Sequence, residues 1–283
     1  MIRRYLPGRF GARPVIVPVV RISGAIGIDA PLRPGVTLAG LAPALERAFG
    51  MKRAPCVALI VNSPGGSPVQ SHLIHRRIRA LAAEEGKAVI AYVEDVAASG
   101  GYMIAAAADE IVADAASVVG SIGVVSQGFG FTGLLEKLGV ERRVHTAGAR
   151  KAILDPFRPE DPADIRHLEA LQREIHAGFT ALVQARRPNL ATDEPDLFSG
   201  LFWTGETGLK LGLVDRLGDL RADLRGRYGA AVKPVQVGGG RRWPWQRRPG
   251  GLAADAAARA GGAAAQALAG AAEERALWAR YGL

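Results

Sequence analysis

Short apolar runs alternate with amphipathic segments along this chain, and the alternation limits the folds that it can adopt. The runs are continuous, as expected for strands that are covered on both faces of a parallel sheet. The segments between them carry apolar residues three and four positions apart, which predicts helices. Strand, helix and strand in repeated order predict a layered α/β fold with right-handed crossovers.

Individual elements follow from this pattern. The predicted strands are Val15–Ile22, Val57–Val61, Ala88–Val93, Glu110–Ala113 and Val140–Thr146. The predicted helices are Leu41–Phe49, Val69–Ala83, Leu134–Leu138, Asp164–Arg186 and Leu220–Tyr228, with a shorter one within Thr204–Asp215. Pro18 cannot donate a main-chain hydrogen bond, so the first strand is predicted to lie near an edge of the sheet.

Composition divides the chain into a core and two appendages. Hydrophobic residues make up 48% of the 283 residues, enough for one large α/β domain. We place this domain at residues 15–237, after a basic arm at 1–14 and before a basic, Ala/Gly-rich tail at 238–283. The tail has too few large apolar residues to bury much surface by itself. The single cysteine, Cys56, excludes an internal disulfide and a cysteine-based metal site, and no cofactor is expected.

Positive charge is concentrated at the two ends of the chain, whose formal net charge is +9. The arginines concerned are Arg3, Arg4, Arg9, Arg13, Arg241, Arg242, Arg247 and Arg248. Such ends, with two tryptophans between the last arginines, suit contact with anionic lipid, although a solvated arginine-rich surface explains them equally well. No apolar run reaches the length of about 18 residues that a transmembrane helix needs. We expect a cytoplasmic protein, with peripheral contact at the inner membrane as an alternative, and no nucleic-acid partner.

Ser99 is the candidate nucleophile. It follows the predicted strand Ala88–Val93, precedes an alanine-rich helix, and has Gly100 and Gly101 directly behind it. Small residues let main chains approach closely there, and a helix N-terminus offers unpaired N–H groups to a developing anion. A serine hydroxyl is unreactive at neutral pH unless a base lies within hydrogen-bond reach, so the chain must also supply that base.

Two kinds of side chain are candidates for the base. The histidines are His72, His75, His145, His167 and His176. Most lie on predicted helices with polar flanks, which favours surface or capping roles, and no third ligand completes a metal site with His72 and His75. Lysine serves as a base for serine when burial keeps its amine neutral. Lys151 lies just beyond a predicted strand, between small residues and an apolar pair, although a surface lysine on a loop fits the same sequence.

A glycine-containing turn is the candidate oxyanion hole. The residues Ser63-Pro64-Gly65-Gly66 follow the end of a predicted strand. Glycines let consecutive main-chain N–H groups turn toward one oxygen, as a tetrahedral intermediate requires. An ordinary turn explains the same residues.

Four short motifs resemble a known peptidase family when they are taken in order. They are Asn62–Ser67, Val96–Ala105, Gly120–Val124 and Gly148–Ala152. Together they resemble the Ser–Lys signal peptide peptidase A family, with its shorter SohB-type members, over roughly Val15 to Leu217. The resemblance implies a ClpP/crotonase-like fold of stacked ββα units. It also implies an ATP-independent endopeptidase that forms an acyl-enzyme.

The resemblance further implies a role for each site residue. Ser99 corresponds to the nucleophile, Lys151 to the general base, and Ser121 to the residue that orients the lysine amine. The implied oxyanion donors are the main-chain N–H groups of Gly100 and of Gly65 or Gly66.

Assembly and substrate are also implied by the resemblance. Family members form homo-oligomeric rings in which neighbouring protomers sometimes share the serine and the lysine. Their substrates are signal-peptide remnants and other hydrophobic or misfolded segments. Many members carry an N-terminal membrane anchor, whereas this sequence has only a basic stretch before Val15.

Two other functions fit parts of the sequence. Residues 87–109 also resemble the crotonase segment that builds a thioester oxyanion hole, so a crotonase-type acyl-CoA hydratase or hydrolase is an alternative. Crotonases often carry a glutamate just after the glycines, where this chain has Tyr102. A non-catalytic ring-forming scaffold is a further alternative, which the joint presence of Ser99, Lys151 and Ser121 disfavours.

Overall fold

The computed structural model describes residues 14–28, 35–238, 271–272 and 274–283. Its strands are β1 (Ile16–Ser23), β2 (Cys56–Ser63), β3 (Ala88–Ala98), β4 (Glu110–Ala113), β5 (Val118–Gly120), β6 (Phe202–Thr204), β7 (Arg216–Leu217) and β8 (Lys233–Gln236). Its helices are α1 (Leu38–Phe49), α2 (Pro68–Glu85), α3 (Gly100–Ala105), α4 (Thr132–Leu138), α5 (Pro162–Arg186), α6 (Gly205–Lys210) and α7 (Leu220–Tyr228). Helices and strands alternate, so the predicted mixed α/β class is confirmed.

The strands of the described residues form one eight-stranded sheet. Its main path runs β6-β5-β3-β2-β1-β8, with β4 paired to β3 and β7 paired to β4. Neighbouring strands are parallel, except that β6 runs antiparallel to β5. The long strand β3 pairs with β4 along Ile90–Val93 and then with β5 along Val96–Ala98. One edge of β3 therefore pairs first with β4 and then with β5, so the last residues of β3 lie beside β5.

Two apolar clusters cover the two faces of this sheet. Alternate residues of β2 belong to different clusters, because successive side chains of a strand point to opposite faces. Val57 and Leu59 pack toward α1, α2, α3 and α5, whereas Cys56 and Ala58 pack toward Leu224 of α7. Each large side chain that is fully buried in this way contributes about 1.5–3 kcal/mol to folding.

Side-chain caps fix where the principal helices begin. Thr37, Ser67, Asp161 and Asp219 each accept a hydrogen bond from a main-chain N–H in the first turn of α1, α2, α5 and α7, respectively. Such caps are worth about 1 kcal/mol each, because the first N–H groups of a helix have no partner within it. At the other end of α2, Gly86 adopts the left-handed conformation that terminates many helices.

The helix predictions are confirmed. The predicted helices correspond to α1, α2, α4, α5 and α7, and α6 lies within the predicted short helix Thr204–Asp215. In the part of the chain that the structure describes, no helix is long and apolar enough to cross a membrane.

Several strand predictions are wrong. Residues 140–146 form no strand, because they lie in an exposed segment that no other strand reaches. Strand β1, in contrast, lies near an edge as predicted, since only β8 is beyond it on that side; Pro18 is tolerated because pairing with β2 begins only at Val19. Strand β3 continues to Ala98, beyond the predicted end at Val93, since β5 pairs with its last residues. The short strands β5, β6, β7 and β8 were not predicted.

Helix α3 approaches β2 with main chain against main chain. A Cβ atom on Gly101 would lie 2.4 Å from the carbonyl oxygen of Ser63, the last residue of β2. On the neighbouring residue, Gly100, a Cβ would lie 2.2 Å from Ser71 Oγ on α2. The fully buried Tyr102 donates its hydroxyl proton to Leu213 O at 2.9 Å. Glycines and one buried hydrogen bond thus hold α3 close to the carboxyl ends of β2 and β3.

We expect Gly101→Ala to lower the free energy of unfolding by about 1–3 kcal/mol, because the added methyl group would overlap a main-chain oxygen that cannot move freely. Urea unfolding followed by circular dichroism measures the change. Gly178→Ala is the matched control, since Gly178 lies inside α5 with open space around it, and alanine there should add about 0.5–1 kcal/mol. Equal stability of Gly101→Ala and the wild type would contradict the proposed close contact.

Candidate active site

Ser99 occupies the turn between β3 and α3. Its φ of 52° and ψ of −122° form a backbone conformation that costs a non-glycine residue about 1–3 kcal/mol. Its N–H donates to Gly120 O at 2.8 Å, and its carbonyl oxygen accepts from Met103 N at 3.0 Å. The side chain does not cap α3 and forms no hydrogen bond with any described residue. Its half-buried hydroxyl therefore remains available for chemistry.

The glycine turn after β2 lies directly against Ser99. At Gly65, whose φ is 103°, an added Cβ would lie 2.8 Å from Ser99 Cβ and 3.0 Å from Gly100 N. A Cβ on Gly66 would lie 2.2 Å from Ile26 O, so this glycine is also enclosed by main chain. The structure thus brings together Ser99, Gly65, Gly66 and Gly100, which lie on two separate parts of the sequence.

Two main-chain N–H groups of this cluster have no hydrogen-bond partner among the described residues. They belong to Gly66 and to Gly100, the first residue of α3, whose N–H has no acceptor within the helix. The N–H of Gly65, in contrast, donates to Ser63 Oγ at 3.3 Å. Gly66 and Gly100 are therefore the better candidates for binding an anion beside Ser99.

Ser121 lies next to Ser99 because β5 pairs with the end of β3. Ala98 pairs with Gly120, so the residues that follow them leave the sheet side by side. Neighbouring strands are about 4.8 Å apart, and Ser121 has the same φ as Ser99, 52°. Ser121 is only 4% exposed, and its N–H donates to Leu201 O at 2.8 Å.

Lys151, unlike Ser121, is not placed beside Ser99 by strand pairing. It lies in an exposed turn, and no hydrogen bond joins its side chain to Ser99 or Ser121 among the described residues. It belongs to residues 123–178, here called the lysine segment, in which no residue is buried. The exposed large apolar residues of this segment are Val125, Phe129, Leu134, Leu138, Val140, Val144, Leu154, Phe157, Leu171 and Ile175. Apolar exposure on this scale marks an interaction surface.

The histidines do not supply a base for Ser99. His75 is buried, contrary to the surface role that its sequence context favoured, and its Nδ1 donates to Met103 O at 2.9 Å. His176 Nε2 donates to Ile122 O at 3.2 Å. His72, His145 and His167 form no hydrogen bond with described residues. His75 instead connects α2 to α3.

One residue beside Ser121 was not predicted from the sequence. The hydroxyl of Tyr281 lies 3.2 Å from Ser121 Oγ, although the tail was predicted to bury little. A signal was present, since Trp278 and Tyr281 are three positions apart, the spacing of one helix face. Both residues pack against Val96, Ala98 and Val118 of β3 and β5.

A comparison with family models assigns the chain to a class of enzymes. The family described as Peptidase family S49 matches residues 82–225, about half of the chain, which includes Ser99, Ser121 and Lys151. The chain therefore belongs to peptidase family S49, and the predicted relationship to SppA- and SohB-type peptidases is confirmed. Membership supports a serine peptidase.

Particular relatives agree with this assignment. "Serine protease SPPA, chloroplastic" of Arabidopsis thaliana is 31% identical over 224 residues, covering 77% of this chain and 33% of that protein. "Protease 4" of Haemophilus influenzae is 33% identical over 181 residues, covering 63% and 29%. A Brucella abortus protein named "Na(+)/H(+) antiporter NhaA" is 54% identical over 287 residues, covering 100% and 39%. The chain thus spans less than half the length of each of these relatives.

Burial lowers the pKa of His75 to about 4, and the neighbouring charges of Arg79 and Arg186 act in the same direction. The unfolded imidazole regains its ordinary pKa of 6.5, so it binds a proton that the folded one does not between pH 6.5 and 4. The stabilisation is complete above pH 6.5 and is lost as the pH falls through this window. We expect the free energy of unfolding to decrease by up to about 3 kcal/mol from this residue.

Urea unfolding of the wild type and of His75→Gln at pH 7 and pH 4.5 measures this effect. Glutamine keeps a donor for Met103 O but does not titrate, so the variant should lose less stability than the wild type on acidification. Carboxylates titrate equally in both proteins and cancel in the comparison. Equal losses in the two proteins would show that His75 is not held neutral in the fold.

Proposed function

We propose that this chain is a serine endopeptidase that uses Ser99 as the nucleophile and Lys151 as the general base. The observation that carries the proposal is the geometry of Ser99. Its hydroxyl has no hydrogen-bond partner among the described residues and its backbone is strained. The N–H groups of Gly66 and Gly100, which also lack a partner there, belong to the same cluster. The assignment to family S49 favours peptide hydrolysis over the acyl-CoA chemistry of crotonases. It also supports a ClpP/crotonase-like arrangement of the sheet and helices.

The proposed reaction follows from these groups. The neutral amine of Lys151 removes the proton of Ser99, and Oγ attacks the peptide carbonyl carbon. Gly100 and Gly66, or Gly65 after its bond to Ser63 breaks, donate N–H bonds to the oxyanion; losing one such donor costs about 2.7–4 kcal/mol of barrier. The lysine returns the proton to the leaving amine, and water then releases the acyl group by the same steps in reverse order.

Lys151 reaches Ser99 in an assembled oligomer according to this proposal. The lysine segment has no buried residue and exposes many large apolar side chains, so it lacks a packing partner among the residues that the structure describes. A head-to-tail ring of identical chains supplies that partner through a heterologous interface. In such a ring, the lysine segment of one protomer packs over the active site of the neighbouring protomer, or contact with the neighbour packs the segment over the active site of its own protomer. We propose residues 15–237 as the domain that forms the ring.

The proposed substrates are signal-peptide remnants and other hydrophobic or misfolded segments. The family and the relatives named as proteases support peptide or protein substrates. The relative named as an antiporter contains a similar segment within a longer protein, which supports a site of action beside an ion-transport protein. We propose peripheral contact with anionic lipid through the basic ends, which lie in residues 1–13 and 241–248, outside the described residues.

Labelling with a fluorophosphonate probe, together with casein cleavage, tests the dyad. We expect the wild type to be labelled, Ser99→Ala to show no labelling, and Lys151→Ala to react about 10³-fold more slowly, because the serine then has no base. The matched controls are Ser199→Ala and Lys52→Ala, exposed residues outside the lysine segment that should keep wild-type rates. An unlabelled wild type that leaves casein intact would refute the peptidase proposal, and turnover of acyl-CoA by that preparation would support the crotonase alternative.

Mixing two inactive variants tests whether neighbouring protomers share the dyad. Ser99→Ala retains the lysine and Lys151→Ala retains the serine, so a shared dyad regains complete sites when the two are unfolded and refolded together. Random mixing in equal amounts should restore roughly a quarter of wild-type activity, because each site needs one protomer of each kind in the correct order. Activity that stays at the level of the separate variants would place both residues of each site in one protomer.

A further inference from the structure

The last residues of the chain pack beside the candidate active site. Residues 274–279 are helical, and Trp278 and Tyr281 contact the apolar cluster formed by the end of β3 and by β5. Tyr281 is only 7% exposed, and its ring meets that of Phe202 edge to face, with centroids 5.0 Å apart. Aromatic pairs of this geometry hold both rings in defined positions. The side chain of Tyr281 is therefore well fixed.

The hydroxyl of Tyr281 lies between two loops that flank Ser99. It is 3.2 Å from Ser121 Oγ and 3.4 Å from Pro64 O. Pro64 immediately precedes Gly65, which touches Ser99, while Ser121 follows the residue whose carbonyl oxygen accepts the N–H of Ser99. One buried hydroxyl thus lies within hydrogen-bond distance of both the glycine turn and the end of β5, and Ser121 Oγ is the nearer acceptor for its single proton.

Ser121 Oγ has no other hydrogen-bond partner among the described residues. A serine hydroxyl carries one proton and can accept as well as donate. When Tyr281 donates its proton to Ser121 Oγ, the second lone pair of that oxygen is left for another donor. Buried polar groups require such partners, and an N–H of a neutral lysine amine is a suitable donor.

We propose that Tyr281 is a positioning residue of the peptidase. Its hydroxyl fixes the position of Ser121 Oγ, so that Ser121 accepts an N–H of the Lys151 amine and the single lone pair of that amine is directed at Ser99. Tyr281 does not touch the substrate and acts through Ser121. This inference rests on the proposed Ser99–Lys151 chemistry and adds the C-terminal segment to the machinery of the site.

The test compares Tyr281→Phe with the wild type in the full-length protein. Phenylalanine keeps the contact with Phe202 and removes only the hydroxyl, so kcat on a fluorogenic peptide should fall about tenfold while KM changes little. Fluorophosphonate labelling of Ser99 should slow by a similar factor. Tyr228→Phe is the matched control: its hydroxyl contacts Cys56 Sγ at 3.4 Å in the other apolar cluster, and the variant should keep the wild-type rate.

A double-mutant cycle separates positioning from a structural role. If Tyr281 acts through Ser121, adding Tyr281→Phe to Ser121→Ala causes no further loss of kcat, because the group to be positioned is already absent. Multiplicative losses in the double variant would overturn the inference, as would a wild-type or increased kcat in Tyr281→Phe. Failure of the proposed function looks different, since the wild type itself would then neither cleave the peptide nor react with the probe.

Discussion

Close contact between main chains around Ser99 is the constraint on which the rest of this structure depends. Gly65, Gly100 and Gly101 each lie where a Cβ atom would come within about 3 Å of another residue. Only because these residues lack side chains can the glycine turn, β2 and α3 meet at one point. That packing holds Ser99 at a positive φ, which a less crowded turn would relax. The backbone strain at Ser99 and the glycines around it therefore depend on each other.

The division of β3 between two partner strands places the second serine. Strand β4 takes the first part of one edge and β5 takes the last part, so the chain leaves β3 and β5 at neighbouring points. Ser99 and Ser121 stand there with the same φ, and Ser99 N–H bonds to the residue before Ser121. A uniform parallel pairing along the whole of β3 would put a different residue next to Ser99.

The lysine segment contrasts with this well-packed centre. The core holds Ser99 and Ser121 in place, whereas none of residues 123–178 is buried. A single chain that exposes so many apolar side chains has a surface suited to other protein. If Lys151 reaches Ser99 only in the oligomer, the serine has no base until protomers associate. Cleavage by single protomers would then be limited.

Local patterns were enough to predict the helices, half of the strands and the surroundings of Ser99. Helical periodicity located α1, α2, α5 and α7, and the small residues after an apolar strand pointed to Ser99, Gly100 and the Gly65-Gly66 turn. Pattern reading failed at Val140–Thr146, whose β-branched residues suggested a strand although the fold offers them no neighbouring strand. It also ended β3 too early, because pairing with β5 extends the strand beyond its apolar run.

The sequence by itself determined which residues have the chemistry and the small size for a reactive serine, because those properties belong to neighbouring positions. Only the tertiary structure decided which residues lie next to one another. It places Ser121 beside Ser99 and Tyr281 against Ser121, and it leaves Lys151 away from both within the single chain. Those relations join residues far apart in the sequence, and they depend on strand register and helix packing. No local periodicity carries that information, so the stretch around Ser99 could be recognised without its partners.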